Sequence, residues 1–129
     1  MSEAPKDLVE AATAVRENAV ATFSKFKVGS ALRTDKGTVY AGCNVENATL
    51  GLTVCAERVA LWKALSEGER TFTEIAVVTA AERPTPPCGA CRQLLWEFCG
   101  DIPVYMVTTS GQEATLLLSE LFPHPFDHS

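Results

Sequence analysis

Three cysteines are placed where they could hold a metal ion. Cys55 opens one predicted helix, and Cys88 and Cys91 open another. At such positions, free N–H groups and the positive end of the helix dipole lower the pKa of a thiol. The spacing of Cys88 and Cys91 lets both sulfurs bind one ion, and a third thiolate would leave tetrahedral zinc one open position. Because catalytic zinc keeps an open position, the pattern predicts a catalytic zinc centre.

Glu57 lies two residues after Cys55 and could supply the acid and base for such a centre. On a regular helix, residues two apart point to different faces. Glu57 therefore reaches the same ion only if Cys55 lies in the first turn, before the chain is fully helical. In that case Glu57 takes the proton of a zinc-bound water and delivers it to the substrate. The alternative is a solvated charge on a helix surface.

Two arginines follow the cysteines at helical offsets. Zinc with three thiolates carries a net negative charge and is a poor Lewis acid, so some group must withdraw that charge. Arg58 follows Cys55 by three residues and Arg92 follows Cys88 by four, offsets that place side chains on one face of a helix. We predict that each guanidinium donates hydrogen bonds to a sulfur. The alternative is a pair of surface or interface salt bridges.

The elements that position these residues follow from the hydrophobic pattern and the breakers. Helix, hairpin and then alternating helix and strand predict a mixed α/β sheet with helices on its faces. The predicted elements are a helix over 5–23, strands over 27–34 and 38–43, a helix over 55–66, a strand over 72–79, an irregular loop over 82–87, a helix over 88–98, a strand over 102–108, a turn over 109–112 and a helix over 118–122.

Size and charge exclude several classes of function. The chain has 129 residues, which fits a single domain over 1–129. Its 11 Lys and Arg against 16 Asp and Glu give a net charge of −5, which disfavours nucleic acid as a partner, because phosphate needs a basic face. No apolar run approaches the roughly 20 residues that span a bilayer, and the N-terminus lacks a secretory pattern. We expect a cytoplasmic protein with no membrane partner and reduced cysteines.

Four motifs in order resemble the small, homotetrameric, zinc-dependent cytidine deaminases. The match covers about 23–99. The resemblance implies a three-layer fold, with a mixed five-stranded sheet and helices on both faces. The signature of zinc deaminases pairs a first ligand and a glutamate with a later Pro-Cys-x-x-Cys, and here Cys stands in place of the usual first His. The motifs are Phe-Lys-Val-Gly at 26–29, Gly-Cys-Asn-Val-Glu-Asn-Ala at 42–48, Cys-Ala-Glu-Arg at 55–58 and Pro-Cys-Gly-Ala-Cys-Arg-Gln at 87–93.

The resemblance implies a role for each matched residue. Cys55, Cys88 and Cys91 would hold one Zn²⁺ per subunit, and Glu57 would shuttle protons. The reaction would be hydrolytic deamination of cytidine and deoxycytidine to uridine and deoxyuridine by a zinc-activated hydroxide, a step of pyrimidine salvage. The implied substrate contacts are those of Asn44 and Glu46 with the ribose hydroxyls, Phe26 with the pyrimidine, and the Ala56 N–H with the base carbonyl.

Two residues depart from the family pattern. Leu50 stands where the family commonly has Tyr, so one pocket wall loses a hydroxyl. Pro86 stands where a Ser or Thr often lends its carbonyl to the leaving amine, and a proline keeps that carbonyl. The first departure leaves the substrate preference open. The alternative is deamination of a modified or antibiotic cytosine nucleoside by the same zinc chemistry.

The C-terminal segment 123–129 is too rich in proline for regular structure. Its Phe126 resembles the aromatic residue that the family lends to the pyrimidine of a neighbouring subunit. The resemblance thus implies a homotetramer with shared active sites. Trp62 and Trp96 would offer apolar area for the interface. A frayed terminus is the alternative.

Other interpretations of the cysteines stay open. With Cys43 or Cys99 as a fourth ligand, the three thiols could form a closed structural zinc site. Cys88 and Cys91 alone could form a thioredoxin-like redox pair. Otherwise, Cys43 and Cys99 are expected to be small buried hydrophobes.

The remaining polar residues also have a simpler interpretation. Asn44 and Glu46 could form an Asx turn with a surface carboxylate, which is common after a strand. His124 and His128 lie in the proline-rich segment, and we expect them to be solvated and not to bind zinc.

Overall fold

Helices and strands alternate along the chain after an initial helix and hairpin. The computed structural model describes residues 3–127. Its elements are α1 (Lys6–Arg16), β1 (Val28–Thr34), β2 (Val39–Cys43), a short 3-10 turn (Leu50–Leu52), α2 (Ala56–Ser66), β3 (Phe72–Thr79), α3 (Gly89–Cys99), β4 (Pro103–Thr108), β5 (Glu113–Leu117) and α4 (Leu118–Leu121).

The five strands form one mixed sheet in the order β2-β1-β3-β4-β5. β3 and β4 are parallel, and the other neighbouring pairs are antiparallel. Parallel strands need a crossover connection, and α3 supplies it between β3 and β4. The segment before α3 therefore leaves the carboxyl end of a central strand, where α/β proteins commonly bind ligands.

Alternate residues of the strands face two separate cores, because side chains alternate across a sheet. One core lies between the sheet and the helices α2 and α3, and includes Leu32, Leu61 and Leu95. The other lies between the sheet and α1, and includes Leu8 and Ala31. The expected three-layer arrangement, with helices on both faces of a mixed five-stranded sheet, is confirmed.

Two glycines let helices approach the sheet closely. A Cβ on Gly29 would lie 1.9 Å from the main-chain oxygen of Ala12 in α1, and a Cβ on Gly42 would lie 2.5 Å from the main-chain nitrogen of Ala60 in α2. Both distances are far inside van der Waals contact, so any side chain would push the helix away. Gly42 thus sets the depth at which α2 lies on β2.

The first helix ends earlier than the predicted helix over 5–23. It stops at Arg16. The main-chain N–H groups of the next three residues donate to carbonyls three residues earlier, beginning with Glu17 to Ala14, as in a final 3-10 turn. Beyond this turn, the Val20 N–H donates to the Asn44 carbonyl, and the Val20 carbonyl accepts a bond from the Glu46 N–H. The segment after α1 becomes a wall of the site, because this pairing between distant segments overrides the helical spacing of the apolar residues.

The fifth strand implied by the family resemblance is β5, where the hydrophobic pattern predicts no strand. It lies at the edge of the sheet, and its first two residues are exposed. An edge strand that is only partly buried shows little alternation of apolar and polar residues, so its sequence resembles that of a loop. None of the helices within residues 3–127 has the length and apolar character that a membrane-spanning helix needs.

Candidate active site

The three predicted zinc ligands come together at the starts of α2 and α3. All three sulfurs lie within 4.8 Å of one another, and the Sγ atoms of Cys55 and Cys88 are 3.8 Å apart. Tetrahedral zinc with Zn–S bonds of about 2.3 Å places two sulfurs about 3.8 Å apart. The spacing and the soft thiol donors both fit zinc. Among the His, Cys, Asp and Glu side chains of residues 3–127, no fourth ligand atom joins this group.

Cys55 and Cys88 occupy equivalent positions before their helices. Each is the N-cap residue with extended backbone, at φ −73° and ψ 153° for Cys55 and φ −66° and ψ 166° for Cys88. An N-cap residue lies outside the helical repeat, so the rule that residues two apart diverge does not apply to it. This geometry meets the condition set for Glu57. Glu57 and both N-cap cysteines line one cavity of about 300 Å³.

Hydrogen bonds around Cys55 favour its thiolate. The pKa of Cys55 is lowered to about 5, first by the hydrogen bond from the Cys91 thiol and then by Arg58. The same bond, in which Cys91 is the donor, raises the pKa of Cys91. Nη2 of Arg58 lies 3.7 Å from the Cys55 sulfur and 3.2 Å from the Thr53 carbonyl oxygen, to which it also donates. Arg58 therefore lies where the predicted hydrogen bond to sulfur needs it.

Glu57 is an unusual carboxyl group for its position in the first turn of a helix. Glu57 is only 5% exposed. Burial raises its pKa to about 7, because removal from water penalises the charged form. A group with this pKa is present in both protonation states near neutral pH, which suits a general acid and base. The surface-charge alternative does not describe this residue.

Four of the five predicted substrate-binding residues also line this cavity, and Phe126 does not. Sequence reasoning missed three polar neighbours, Ser24, Thr53 and Thr85, because none lies in a motif that implies chemistry. Pro86 is a further lining residue. The predicted residues found in the cavity wall are Phe26, Asn44, Glu46 and Ala56.

Asn44 and Glu46 form hydrogen bonds that connect the segments of the cavity wall. The Asn44 side chain accepts a bond from the Val28 N–H at 2.8 Å and donates one to the Phe26 carbonyl at 2.9 Å. Glu46 accepts bonds from the main chain of residues 23 and 24 and from the Ser24 hydroxyl. The Ser24 hydroxyl leads the contacts that lower the pKa of Glu46. Both residues are therefore part of the cavity and its architecture.

Arg92 donates to main-chain carbonyls, and the prediction that it donates to a sulfur is wrong. Its Nε donates to the Pro87 carbonyl at 2.7 Å and its Nη1 to the Leu121 carbonyl at 2.8 Å. The side chain turns back toward the start of α3, as helical side chains do, and meets main-chain oxygens before it can reach Cys88. Of the two arginines, the structure brings only Arg58 to a thiol.

The C-terminal residues lie against α3 of the same chain. The side-chain amide of Gln93 accepts a bond from the Phe126 N–H and donates one to the Phe126 carbonyl. Phe126 is 65% exposed and is not among the residues that line the cavity of Glu57. His124 is exposed, in agreement with expectation, whereas His128 lies outside the described residues.

The other residues singled out from the sequence do not line the cavity of Glu57. Trp62 is 47% exposed, with the Arg58 guanidinium 5.8 Å from its ring centre, and Trp96 packs against the core under α3. Cys99 is partly buried against the same core, and burial raises its pKa to about 12. Cys43 is half-buried.

Zinc deaminases carry a glutamate two residues after the first zinc ligand, and Glu57 of α2 stands in this relation to Cys55. Residues 2–108 match the family described as the cytidine and deoxycytidylate deaminase zinc-binding region. The chain belongs to this family of zinc-binding hydrolases, and Cys55, Cys88 and Cys91 form its zinc site.

Individual relatives agree with this assignment. The chain is 48% identical over 120 residues to a cytidine deaminase of Halalkalibacterium halodurans, covering 92% of this chain and 91% of that one. The crystal structure of cytidine deaminase from Burkholderia pseudomallei superposes with a TM-score of 0.91 at 46% identity, over 95% of this chain and 99% of that one. A blasticidin-S deaminase of Bacillus cereus is 30% identical over 131 residues, covering 95% of this chain and 92% of that one.

Proposed function

We propose that this protein hydrolyses cytidine and deoxycytidine to uridine and deoxyuridine with release of ammonia. The observation that carries the proposal is a buried carboxyl group, Glu57, in the same cavity as Cys55 and Cys88 of the zinc site. When bound, zinc acts as a Lewis acid that makes water a nucleophile at neutral pH. Glu57 takes a proton from the attacking water and delivers it to the substrate, and its pKa of about 7 suits both steps.

The substrate is positioned by the polar and apolar walls of the cavity. The amide of Asn44 and the carboxylate of Glu46 face it together. A carboxylate offers about four acceptor sites, and three bonds from residues 23 and 24 occupy Glu46. The remaining acceptor capacity of Glu46 and the second N–H of the Asn44 amide match vicinal ribose hydroxyls. Phe26 lies against the pyrimidine, and the Ala56 N–H binds the base carbonyl.

Arg58 offsets the negative charge of three thiolates. Its hydrogen bond to the Cys55 sulfur withdraws electron density from a ligand, which keeps the metal a stronger Lewis acid. Its second bond, to the Thr53 carbonyl, holds the guanidinium in place. The ring of Trp62 packs beneath it. Arg58 is therefore a positioning residue and a charge partner for the zinc site.

A turnover assay tests the proposal directly. Zinc-loaded protein should release ammonia from cytidine and deoxycytidine, and should leave their monophosphates and adenosine far less changed. The Glu57→Ala variant should lose this activity and retain one zinc per chain. Glu67→Gln is the matched control, because Glu67 is an exposed carboxylate at the other end of the same helix. Absence of turnover with all cytosine nucleosides would refute the proposal.

A modified cytosine nucleoside is the second candidate substrate. A second cavity of about 270 Å³ adjoins the first through Ser24, Glu46 and Thr53, and Leu50 and Phe23 form its apolar wall. This space lies on the proposed ribose side, where a larger sugar substituent would extend. The relative that acts on blasticidin S supports the same possibility. A higher kcat/KM for blasticidin S than for cytidine, in the same assay, would favour this candidate.

We further propose a homotetramer whose subunits share active sites, with residues 123–129 reaching a neighbour. Support comes from the exposed ring of Phe126, since exposed aromatic rings favour protein interfaces. A thiolate-based zinc site also suits a reducing compartment, which supports action in the cytoplasm.

Subunit exchange distinguishes a shared site from a self-contained one. A truncation after Pro123 removes the tail, and Glu57→Ala removes the proton carrier. Each homo-oligomer should have low activity, whereas mixed oligomers contain some sites with an intact Glu57 and an intact neighbouring tail, so activity should partly return. A fully active truncation, or a monomer in sedimentation, would contradict the shared site.

A further inference from the structure

The segment before Cys88 cannot fix its own position through main-chain donors. Pro86 and Pro87 both lack an N–H group, so the peptide units from Thr85 to Pro86 and from Pro86 to Pro87 can only accept hydrogen bonds. Upstream, the Thr85 hydroxyl lies 3.1 Å from the hydroxyl of Thr79 at the end of β3. Downstream, Cys88 itself is exposed. The main chain directly before this zinc ligand therefore offers few donors of its own.

Arg92 bonds to both peptide units that flank the Cys88 Cα atom. Its side-chain Nε donates to the Pro87 carbonyl at 2.7 Å, and its main-chain N–H donates to the Cys88 carbonyl at 2.9 Å. The orientations of these two planes define φ and ψ of Cys88, which are −66° and 166°. The direction of the Cα–Cβ bond follows from them. One residue thus fixes the backbone from which the Cys88 sulfur projects.

The same guanidinium is anchored at its far side. Nη1 of Arg92 donates to the carbonyl of Leu121, the last residue of α4, at 2.8 Å. The next residue, Gln93, forms two bonds with the main chain of Phe126. The first turn of α3 therefore connects the loop that carries Cys88 with the C-terminal part of the chain.

We propose that Arg92 is a positioning residue that orients Cys88 for zinc through main-chain carbonyls and links this ligand to the C-terminal segment. The role needs the planar fork of a guanidinium, whose Nε and Nη1 reach two carbonyls in different directions. A lysine carries the same charge on a single nitrogen and cannot reproduce that geometry. The inference concerns how zinc is held and does not depend on which nucleoside is the substrate.

Zinc release from the loaded protein tests this role without substrate. The rate of zinc transfer to pyridylazoresorcinol should rise about 10-fold or more in Arg92→Lys, because loss of a group that orients a ligand commonly costs 10–100-fold in metal affinity or activity. Arg70→Lys is the matched control, since Arg70 also donates to main-chain carbonyls, those of Leu65 and Glu69, away from the site. Its release rate should equal that of the unchanged protein.

A double-variant comparison shows whether Arg92 acts through Cys88. In a Cys88→Ser background, Arg92→Lys should add little further zinc loss, because the oriented sulfur is already absent. An undiminished effect in that background, or a normal release rate in Arg92→Lys alone, would overturn the proposal. Arg92→Gln, which keeps one donor, replaces Arg92→Lys if that variant does not fold. If neither variant shows a native circular dichroism spectrum, Arg92 maintains the fold and the positioning role is refuted.

Discussion

Replacement of Glu57 by Gln removes the proton carrier and preserves the shape of the side chain. General acid and base catalysis contributes roughly 10²–10⁴ in rate, so kcat should fall by about this factor. That loss corresponds to about 3–5 kcal/mol of transition-state stabilisation, at 1.36 kcal/mol per factor of ten. Zinc content should remain one per chain, because the sulfurs that hold it are unchanged.

The same substitution should stabilise the folded protein at high pH. The pKa of Glu57 is about 7 in the folded protein against a usual 4.5. The unfolded chain therefore loses this proton first as pH rises, and the folded state becomes relatively less stable between pH 4.5 and 7. The full cost above pH 7 is about 3 kcal/mol, at 1.36 kcal/mol per pKa unit. A neutral Gln avoids this cost.

Urea unfolding of the reduced, zinc-free protein measures the effect, because bound zinc would add its own charge beside Glu57. The stability difference between Glu57→Gln and the unchanged protein should be about 1 kcal/mol larger at pH 8 than at pH 6, because Glu57 still holds its proton at the lower pH. Glu67→Gln, which replaces an exposed carboxylate at the other end of the same helix, serves as the control. A difference that is independent of pH would refute the account of a buried carboxyl with a raised pKa. Loss of zinc from the Glu57→Gln variant, measured separately as zinc per chain, would instead make Glu57 a ligand.

Three further substitutions have defined outcomes. Arg58→Gln should lower kcat and speed zinc loss, both measured on loaded protein, because it removes the donor to Cys55. Asp7→Asn should reduce stability in urea at pH 7 and have less effect at pH 3, because Arg33 lowers the pKa of Asp7 and the benefit of the ion pair is lost as pH falls through that pKa. Gly42→Ala should lower the free energy of unfolding by about 1–3 kcal/mol, since its Cβ would overlap α2.

The zinc site was predictable from residue types and spacing. Helix formers after Cys55, and the spacing of Cys88 and Cys91, placed all three thiols at helix starts. Local propensity decides such positions, because capping and breaking residues act within a few residues of a helix end. The helices begin at Ala56 and Gly89, next to the predicted starts.

Long-range pairing decided what the hydrophobic pattern could not. The helical spacing of apolar residues continues past Arg16, but bonds between Val20 and the chain around Val45 draw the segment into the site wall. Likewise, β5 exists because β4 offers a partner edge, and its own residues from Glu113 carry little strand signal. Such contacts join residues far apart in sequence, so no local pattern contains them.

The chemical character of the site depends on the same distinction. The sequence by itself determined which groups are available: three thiols, a carboxyl group at position 57 and two nearby guanidinium groups. The tertiary structure decided that Glu57 is buried, with its pKa near 7, and that Arg58 meets a sulfur while Arg92 meets carbonyl oxygens. Burial and hydrogen-bond direction arise only when helices pack on a sheet, because both depend on atoms that distant segments contribute.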